Sequence, residues 1–218
     1  MSVINNTINF VKKQLENTES GHNWFHMERV YNNALLLAKE ETCDLEVVQL
    51  AALLHDIADS KFHPDASGGD ETVGPRVARA FLTSENVSEA TINHVVAIIE
   101  NISFKGGNFT TKFTSKELEI VQDADRLDAI GAVGIARTFN YGGYKNREIY
   151  NPEILPNLNM SKQEYKNSTA PTINHFYEKL LLLKDKMNTE TGKKIAQQRH
   201  DFMELFLEQF YKEWNGIV

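Results

Sequence analysis

The sequence predicts an all-α fold, organised as a single domain over residues 1–218. Apolar side chains recur every three or four positions through most of the chain, the spacing that places them on one face of a helix. No segment alternates apolar and polar residues as a half-buried strand does. Hydrophobic residues make up 41% of the chain and charged residues 24%, a composition typical of a globular protein with a substantial core.

The first three predicted helices lead into the centre of the fold. The first ends before Gly21 and has its apolar face at Ile4, Ile8, Val11 and Leu15. A second covers about residues 24–40 and repeats this spacing. Asp44 is expected to cap a third helix, in which residues 47–54 leave almost no polar face. This third helix should therefore be the central, buried one.

Three more helices are expected in the middle of the chain. Two of them cover about residues 71–82 and 88–100, the second with Ser88 as its N-cap. Thr114 and Glu117 have the spacing of a capping box. They predict the start of one long helix that continues to about Phe139.

The helical pattern fails over residues 141–171. This segment contains glycines, prolines and many asparagines, and it is longer than a typical connection. Segments of this kind are commonly lids, binding loops or disordered segments. Two amphipathic segments, at about residues 172–187 and 190–214, are predicted as the C-terminal helices.

Charge and composition exclude several classes of function. The net charge of −7 argues against a general nucleic-acid binder, whose phosphate contacts need a basic surface. The N-terminal segment lacks the basic and apolar regions of a signal peptide, and no apolar run approaches the roughly 20 residues that span a bilayer. Cys43 is the only cysteine, so no internal disulfide can form. The expected location is therefore cytoplasmic, with no membrane partner.

The dipeptide His-Asp occurs twice, in different contexts. His200-Asp201 lies among glutamines, an arginine and a glutamate on a segment with a wide polar face, so it is expected at the surface. His55-Asp56 instead follows the most apolar helix directly, where burying ionisable groups without partners would be costly. A metal ion or a hydrogen-bonded network of charges would offset that cost.

Two further residues favour the metal. His26 lies on or near the apolar side of the second helix, and Asp125 lies within the long helix, flanked by apolar residues. Together with His55 and Asp56 they offer two imidazoles and two carboxylates. Such a set suits a first-row divalent ion and leaves room for water, as a catalytic site requires.

Three motifs, in this order, carry a family resemblance: "HMERV" at residues 26–30, "LLHDIADSKF" at 53–62 and "DADRLDAIGA" at 123–132. They resemble the HD domain of the HD superfamily of metal-dependent phosphohydrolases, and its order H…HD…D is matched by His26, His55, Asp56 and Asp125. The later "IARTFNYGG" and the C-terminal segment resemble small, stand-alone bacterial HD proteins, some of which are nucleoside-triphosphate pyrophosphohydrolases. The resemblance implies a bound divalent ion, whether Mn, Co, Ni, Fe or Mg.

Three aspartates in "DADRLDA" compete for the last ligand position. Asp125 and Asp128 are three residues apart and share a helix face, whereas Asp123 points elsewhere. The resemblance to the "ADRL" element of HD hydrolases selects Asp125. Asp128 is then expected as an outer hydrogen-bond partner, because ligating groups usually need one. Asp123 is expected to be a solvated charge.

Other residues are candidates for catalysis and substrate binding. Asp59 lies four residues after His55, and in similar HD hydrolases an acidic residue at this place helps to activate water, so Asp59 is the predicted general base. A polyphosphate needs cations around it, and five are candidates: Lys61, Lys105, Arg137, Arg29 and Arg126. Four other residues could either contact substrate or be structural: Tyr141, Tyr144, His63 and His94.

The leading hypothesis is therefore a metal-dependent phosphohydrolase that converts nucleoside triphosphates to monophosphates and pyrophosphate. The substrate is a small phosphorylated molecule, and metal-activated water is the nucleophile. A 5'-nucleotidase acting on monophosphates is the closest enzymatic alternative. A regulatory module that binds nucleotides without hydrolysis, or an all-α scaffold with buried ion pairs, would also account for parts of the pattern.

Overall fold

The structure, a computed structural model, describes residues 2–16, 23–57, 73–102, 113–161, 164 and 167–217. Within these residues the secondary structure is helical and contains no strand, which confirms the all-α prediction. Contacts divide the chain into two compact units, Met1–Asp125 and Arg126–Val218. The single domain over residues 1–218 stays a prediction. Among the helices that the structure describes, none is long and apolar enough to cross a membrane.

The first unit is built around one central helix. Its helices are α1 (Val3–Gln14), α2 (Trp24–Ala38), α3 (Leu45–Leu54), α4 (Val73–Ser84), α5 (Glu89–Asn101) and most of α6 (Lys116–Asp128). Helix α3 packs against α1, α2 and α5. Residues 50–54 are fully buried, which confirms that the most apolar helix of the chain is the central one. Helices α4 and α5 form a second packed pair beside it.

Side-chain caps determine where several of these helices begin. The Asp44 carboxylate accepts the N–H groups of Glu46 and Val47, as predicted for the start of α3. Ser88 Oγ accepts the Thr91 N–H at the start of α5, also as predicted. These caps could be predicted because the donor and the acceptor lie within three residues of each other.

The predicted capping box at Thr114 and Glu117 is wrong. Helix α6 begins at Lys116, and the side chain that caps it is Ser115, whose Oγ accepts the Leu118 N–H at 3.1 Å. Glu117 is therefore the second helical residue, too early to reach back as the partner in a capping box. Its carboxylate bonds instead to the N–H of Asp44, at the start of α3.

The second unit contains α7 (Gly131–Tyr144), α8 (Asn174–Glu178), a 3₁₀ helix (Leu180–Lys186) and α9 (Glu190–Trp214). The prediction of one helix continuing to Phe139 is wrong, because the chain breaks between α6 and α7. Ile130 is extended, and Gly131 has a φ of +77°, a conformation that favours glycine. A Cβ at Gly131 would also lie 2.9 Å from Cγ of Arg199. Both the backbone conformation and the lack of space at residue 131 therefore require glycine at the break between the two helices.

The C-terminal part of the chain matches the prediction unevenly. The irregular segment predicted to begin at residue 141 begins instead at residue 145, because helix α7 extends to Tyr144. Residues 145–161 and 168–173 consist of turns, bends and chain without regular secondary structure. The helix predicted over residues 172–187 is instead a short α-helix and a 3₁₀ helix, because the backbone at Lys179 leaves the helical region. The bounds of α9 agree with the prediction, and Thr189 caps it through Gly192.

Candidate metal centre

Two histidines and an aspartate of the first unit converge at the C-terminal end of α3. His26 lies in the first turn of α2, and His55 and Asp56 directly follow α3. One potential ligand atom from each of these three residues lies within 4.8 Å of the other two. The rings of His26 and His55 meet edge to face, with centroids 5.4 Å apart. The sequence-predicted His-Asp pair and His26 are therefore neighbours in space.

Asp125 of α6 brings a second carboxylate to the same place. Its Oδ1 lies 3.7 Å from Nε2 of His26 and 3.8 Å from Nε2 of His55. Both distances are too long for direct hydrogen bonds. Two ligand atoms of one tetrahedral ion, with bonds of about 2.1 Å, lie roughly 3.4 Å apart. The spacing of these three donor atoms therefore fits a shared divalent ion better than direct contact between the side chains.

The orientation of the His55 ring is the clearest indication of a ligand. Its Nδ1 lies 2.9 Å from the carbonyl oxygen of Ala52. Because a carbonyl can only accept, Nδ1 must carry the proton of this hydrogen bond. In the neutral ring Nε2 is then left with a lone pair, and Nε2 is the atom that faces Asp125. A backbone hydrogen bond that fixes the tautomer in this way is the usual arrangement behind a metal-bound histidine.

The centre is buried at His26 and partly exposed at Asp125. The side chain of His26 is only 2% exposed, whereas that of Asp125 is 44% exposed. Water and a ligand could therefore approach from the side of Asp125. The amide of Asn33 donates to the carbonyl oxygen of Ala124 and so links α2 to α6 next to Asp125. Sequence reasoning missed Asn33, although its position seven residues after His26 places it on the same face of α2.

The two other aspartates of α6, Asp123 and Asp128, are both buried. Asp123 was expected to be a solvated charge, and this is wrong because it is fully buried. The face of α6 that carries Asp123 packs towards the interior of the protein. The polar residues around Asp123 in the sequence do not indicate this. Asp128 is also buried, and its carboxylate and carbonyl oxygens accept hydrogen bonds from Arg137. Its role as an outer partner of the metal ligands stays a prediction.

The remaining candidates are in varied positions. Asp59, Lys61, His63 and Lys105 lie outside the described residues. Arg126 donates to the carbonyl of Lys186 and Arg137 to Asp128, so both guanidinium groups have acceptors within the second unit. Arg29 is half-buried on α2. The substrate-binding roles of these five cations stay predictions.

Other aromatic and histidine candidates are placed more clearly. Tyr141 and Tyr144 are exposed, and the ammonium group of Lys145 lies 5.1 Å from the ring centroid of Tyr144. Nε2 of His94 lies 3.3 Å from a carboxylate oxygen of Glu117. His94 thus belongs to a polar network at the start of α6.

The surface position expected for His200-Asp201 is wrong for its histidine. His200 is only 7% exposed, whereas Asp201 is exposed and accepts a hydrogen bond from Gln197. Adjacent residues on a helix point about 100° apart, so one can be buried while the next is solvated. The polar residues around His200 in the sequence gave no sign that its ring would be buried while Asp201 stayed exposed.

Comparisons with known proteins agree with the geometry. The HD domain model matches residues 23–130, the segment that contains all four candidate ligands. The chain is 38% identical to the Bacillus subtilis protein YpgQ over 211 residues, which cover 95% of this chain and 92% of YpgQ.

Two solved structures are similar over nearly the whole chain. One is a HD-superfamily hydrolase from Bacillus thuringiensis, with 43% identity, a TM-score of 0.76 and coverage of 97% of this chain and 96% of that one. The other is Bacillus subtilis YpgQ in complex with ADP, with 32% identity in the structural alignment, a TM-score of 0.76 and coverage of 99% and 100%. The chain therefore belongs to the HD superfamily of hydrolases.

Proposed function

We propose that this protein is a metal-dependent phosphohydrolase acting on nucleotides, and that it releases pyrophosphate from nucleoside triphosphates. The observation that supports this most directly is the meeting of His26 and His55 with the Asp125 carboxylate, 3.7 and 3.8 Å away. The hydrogen bond from His55 Nδ1 to the Ala52 carbonyl leaves the lone pair of Nε2 available to bind a metal ion.

Four residues would hold the metal: His26, His55, Asp56 and Asp125. Two imidazole nitrogens and two carboxylate oxygens suit Mn, Co, Ni or Fe. They are expected to bind Mg less tightly, because Mg prefers oxygen ligands. When bound, such an ion makes water more acidic and neutralises charge on a phosphoryl oxygen.

The protein side chains have separate tasks in the proposed reaction. Asp59 would accept a proton from the attacking water, as its spacing from His55 suggests. The water oxygen would form a bond to the α-phosphorus, and the bond from that phosphorus to the α–β bridging oxygen would break. The products are then a nucleoside monophosphate and pyrophosphate. Lys61, Lys105 and Arg137 are the first candidates to bind the phosphate oxygens, with Arg29 and Arg126 next.

A nucleotide is the favoured substrate class for two reasons. The chain aligns with nearly the whole of YpgQ, which has been crystallised with ADP. The partial exposure of Asp125 also gives a bulky anionic substrate room to approach.

The test is a substrate panel assayed with metal-replete and with chelator-treated protein. Nucleoside triphosphates, diphosphates and monophosphates are each incubated with Mn²⁺, Co²⁺, Ni²⁺ or Mg²⁺, and pyrophosphate and orthophosphate are quantified separately. We expect pyrophosphate from triphosphates, with activity lost on chelation and restored by added metal. Orthophosphate from monophosphates alone would indicate a 5'-nucleotidase instead.

The same panel separates catalysis from binding. A regulatory module would bind nucleotides in calorimetry but release neither phosphate nor pyrophosphate in the metal-replete state. The Asp59→Asn variant adds a sharper test, because the proposed base lies outside the ligand set. It should keep its metal and lose most of its turnover. Full turnover in this variant would remove Asp59 from the mechanism.

A further inference from the structure

One carboxylate, that of Glu117, joins the N-terminal ends of α3 and α6. Its Oε1 accepts the N–H of Asp44, the cap of α3, at 2.8 Å, and Glu117 itself lies in the first turn of α6. Its side chain is only 11% exposed. A buried charge in this position needs several donors, because burial without them would be costly.

Helix α5 supplies a third attachment to the same carboxylate. Nε2 of His94 lies 3.3 Å from Glu117 Oε2 and 3.0 Å from Oγ of Ser115. Ser115 in turn caps α6 through the Leu118 N–H. We call these four residues, Asp44, His94, Ser115 and Glu117, the N-terminal clamp. The clamp therefore connects three helices of the first unit through side chains and one backbone N–H.

Charge favours this arrangement. The N-terminus of a helix carries a partial positive charge, and Glu117 lies at two such ends at once. Burial tends to raise the pKa of the Glu117 carboxyl, but the N–H groups of Asp44 and Glu117, the Ser115 hydroxyl and His94 together lower it. The carboxyl is thus held in its charged form, the form that accepts all of these hydrogen bonds.

Two of the three helices that meet at the clamp, α3 and α6, also carry candidate metal ligands at their other ends. His55 lies 11 residues beyond Asp44, and Asp125 lies eight residues beyond Glu117. At 1.5 Å per residue, these lengths are roughly 16 and 12 Å. Sliding or rotating either helix at its start would therefore alter the 3.8 Å spacing between His55 Nε2 and Asp125 Oδ1.

We propose that Glu117 is a positioning residue: it holds α3 and α6 in register, so that His55 and Asp125 meet at the distance that a shared metal ion requires. This inference rests on the proposed function. Glu117 would act only through the two helices and would not contact metal or substrate.

The test replaces Glu117 by glutamine and measures binding of Co²⁺ alone. Glutamine has the same shape and keeps one acceptor oxygen for Asp44, but its NH₂ group would face the donors of His94 and Ser115. We expect the Kd for Co²⁺ to rise about tenfold, the scale on which outer partners of metal ligands act. The visible absorption spectrum of bound Co²⁺ should also change, because it reports coordination geometry.

A matched control distinguishes positioning from general destabilisation. Ile98 is fully buried on α5 and is not one of the four clamp residues, so Ile98→Val loosens the core of the same unit while every side chain of the clamp stays in place. It should lower Tm while leaving the Co²⁺ Kd within twofold of wild type and the spectrum unchanged. His94→Gln removes one attachment and should raise the Kd about threefold, which provides a readout if Glu117→Gln does not fold.

A second readout does not need metal. The ring ¹⁵N signals of His26 and His55, recorded in metal-free protein, should shift in Glu117→Gln and stay at wild-type positions in Ile98→Val. If wild-type protein binds no Co²⁺, the proposed function fails while the ring signals still decide the positioning role. Wild-type Kd and wild-type ring signals in both Glu117→Gln and His94→Gln would overturn the inference.

Discussion

The two His-Asp pairs of this chain have the same covalent structure and different environments. His55-Asp56 comes directly after the buried helix α3, and both residues contribute to one cluster with His26. His200-Asp201 lies in the middle of the 25-residue helix α9. There the imidazole is buried, while the carboxylate is exposed and bonded to Gln197.

The difference lies in the hydrogen bonds of the two rings. His55 donates from Nδ1 to a carbonyl three residues earlier, which directs Nε2 towards Asp125. Nε2 of His200 lies 3.3 Å from the exposed carboxylate of Glu204, and its buried Nδ1 has no hydrogen-bond partner within the described part of the chain. A His-Asp pair therefore becomes a candidate ligand pair when it ends a helix and its ring is fixed by the backbone.

The largest contrast is expected when each histidine is replaced by alanine. His55→Ala removes a nitrogen donor from the proposed centre and should lower pyrophosphate release by at least about 10³-fold, with loss of bound metal. His200→Ala makes the same chemical change on α9 and should leave turnover within twofold. Metal content and initial rates of both purified variants are the measurements. Equal losses in the two variants would remove the distinction between the pairs.

The carboxylates should show a smaller contrast. Asp125→Asn keeps an oxygen ligand atom but removes the negative charge, so the Kd for Mn²⁺ should rise about 100-fold, at least as much as the loss of an outer partner of a ligand costs. Asp201→Asn changes a solvated carboxylate that is bonded to Gln197 and should leave the Kd unchanged. Titration of metal-free protein measures both. An unchanged Kd in Asp125→Asn would exclude Asp125 from the ligand set.

The same contrast explains which features could be predicted from the sequence. The caps at Asp44 and Ser88 and the bounds of α9 depend on residues that are close in the chain. The burial of Asp123 and of His200 depends on which parts of the chain pack against them. The polarity of the neighbouring sequence therefore wrongly predicted that both side chains would be exposed to solvent.

Function was partly predictable for a related reason. The order of the His and Asp residues could be read directly, and the structure places His26, His55, Asp56 and Asp125 near one another. The hydrogen bond from His55 to Ala52 was not predicted, because ring orientation depends on side-chain torsions that sequence spacing does not describe. The clamp at Glu117 was missed because its partners come from three separate helices.

A third histidine, His175, is expected to make the stability of the protein depend on pH. Burial, reinforced by the positive charges of Lys179 and Arg147, lowers the pKa of His175 to about 3. Below the unfolded-state pKa near 6.5, the imidazole of His175 is therefore protonated in the unfolded chain but not in the folded protein. The free energy of unfolding should fall from about pH 6.5 towards pH 3, by at most about 1.4 kcal/mol per pH unit. His175→Asn should remove this component, measured as the difference in urea unfolding between pH 7 and pH 5.5. Identical pH slopes in the two proteins would show that His175 titrates normally.

The smallest effect is expected at His200, and its direction is the informative part. Because Nδ1 is buried without a hydrogen-bond partner within the described residues, the native imidazole carries a desolvation cost that an apolar side chain of similar size avoids. Leucine also favours a helix interior more than histidine does. His200→Leu should therefore raise the free energy of unfolding by about 0.5–1 kcal/mol, whereas His55→Leu should abolish metal binding. Urea unfolding of His200→Leu beside wild type measures the first effect. A clear loss of stability would mean that the His200 ring, like that of His55, makes a polar interaction that the fold requires.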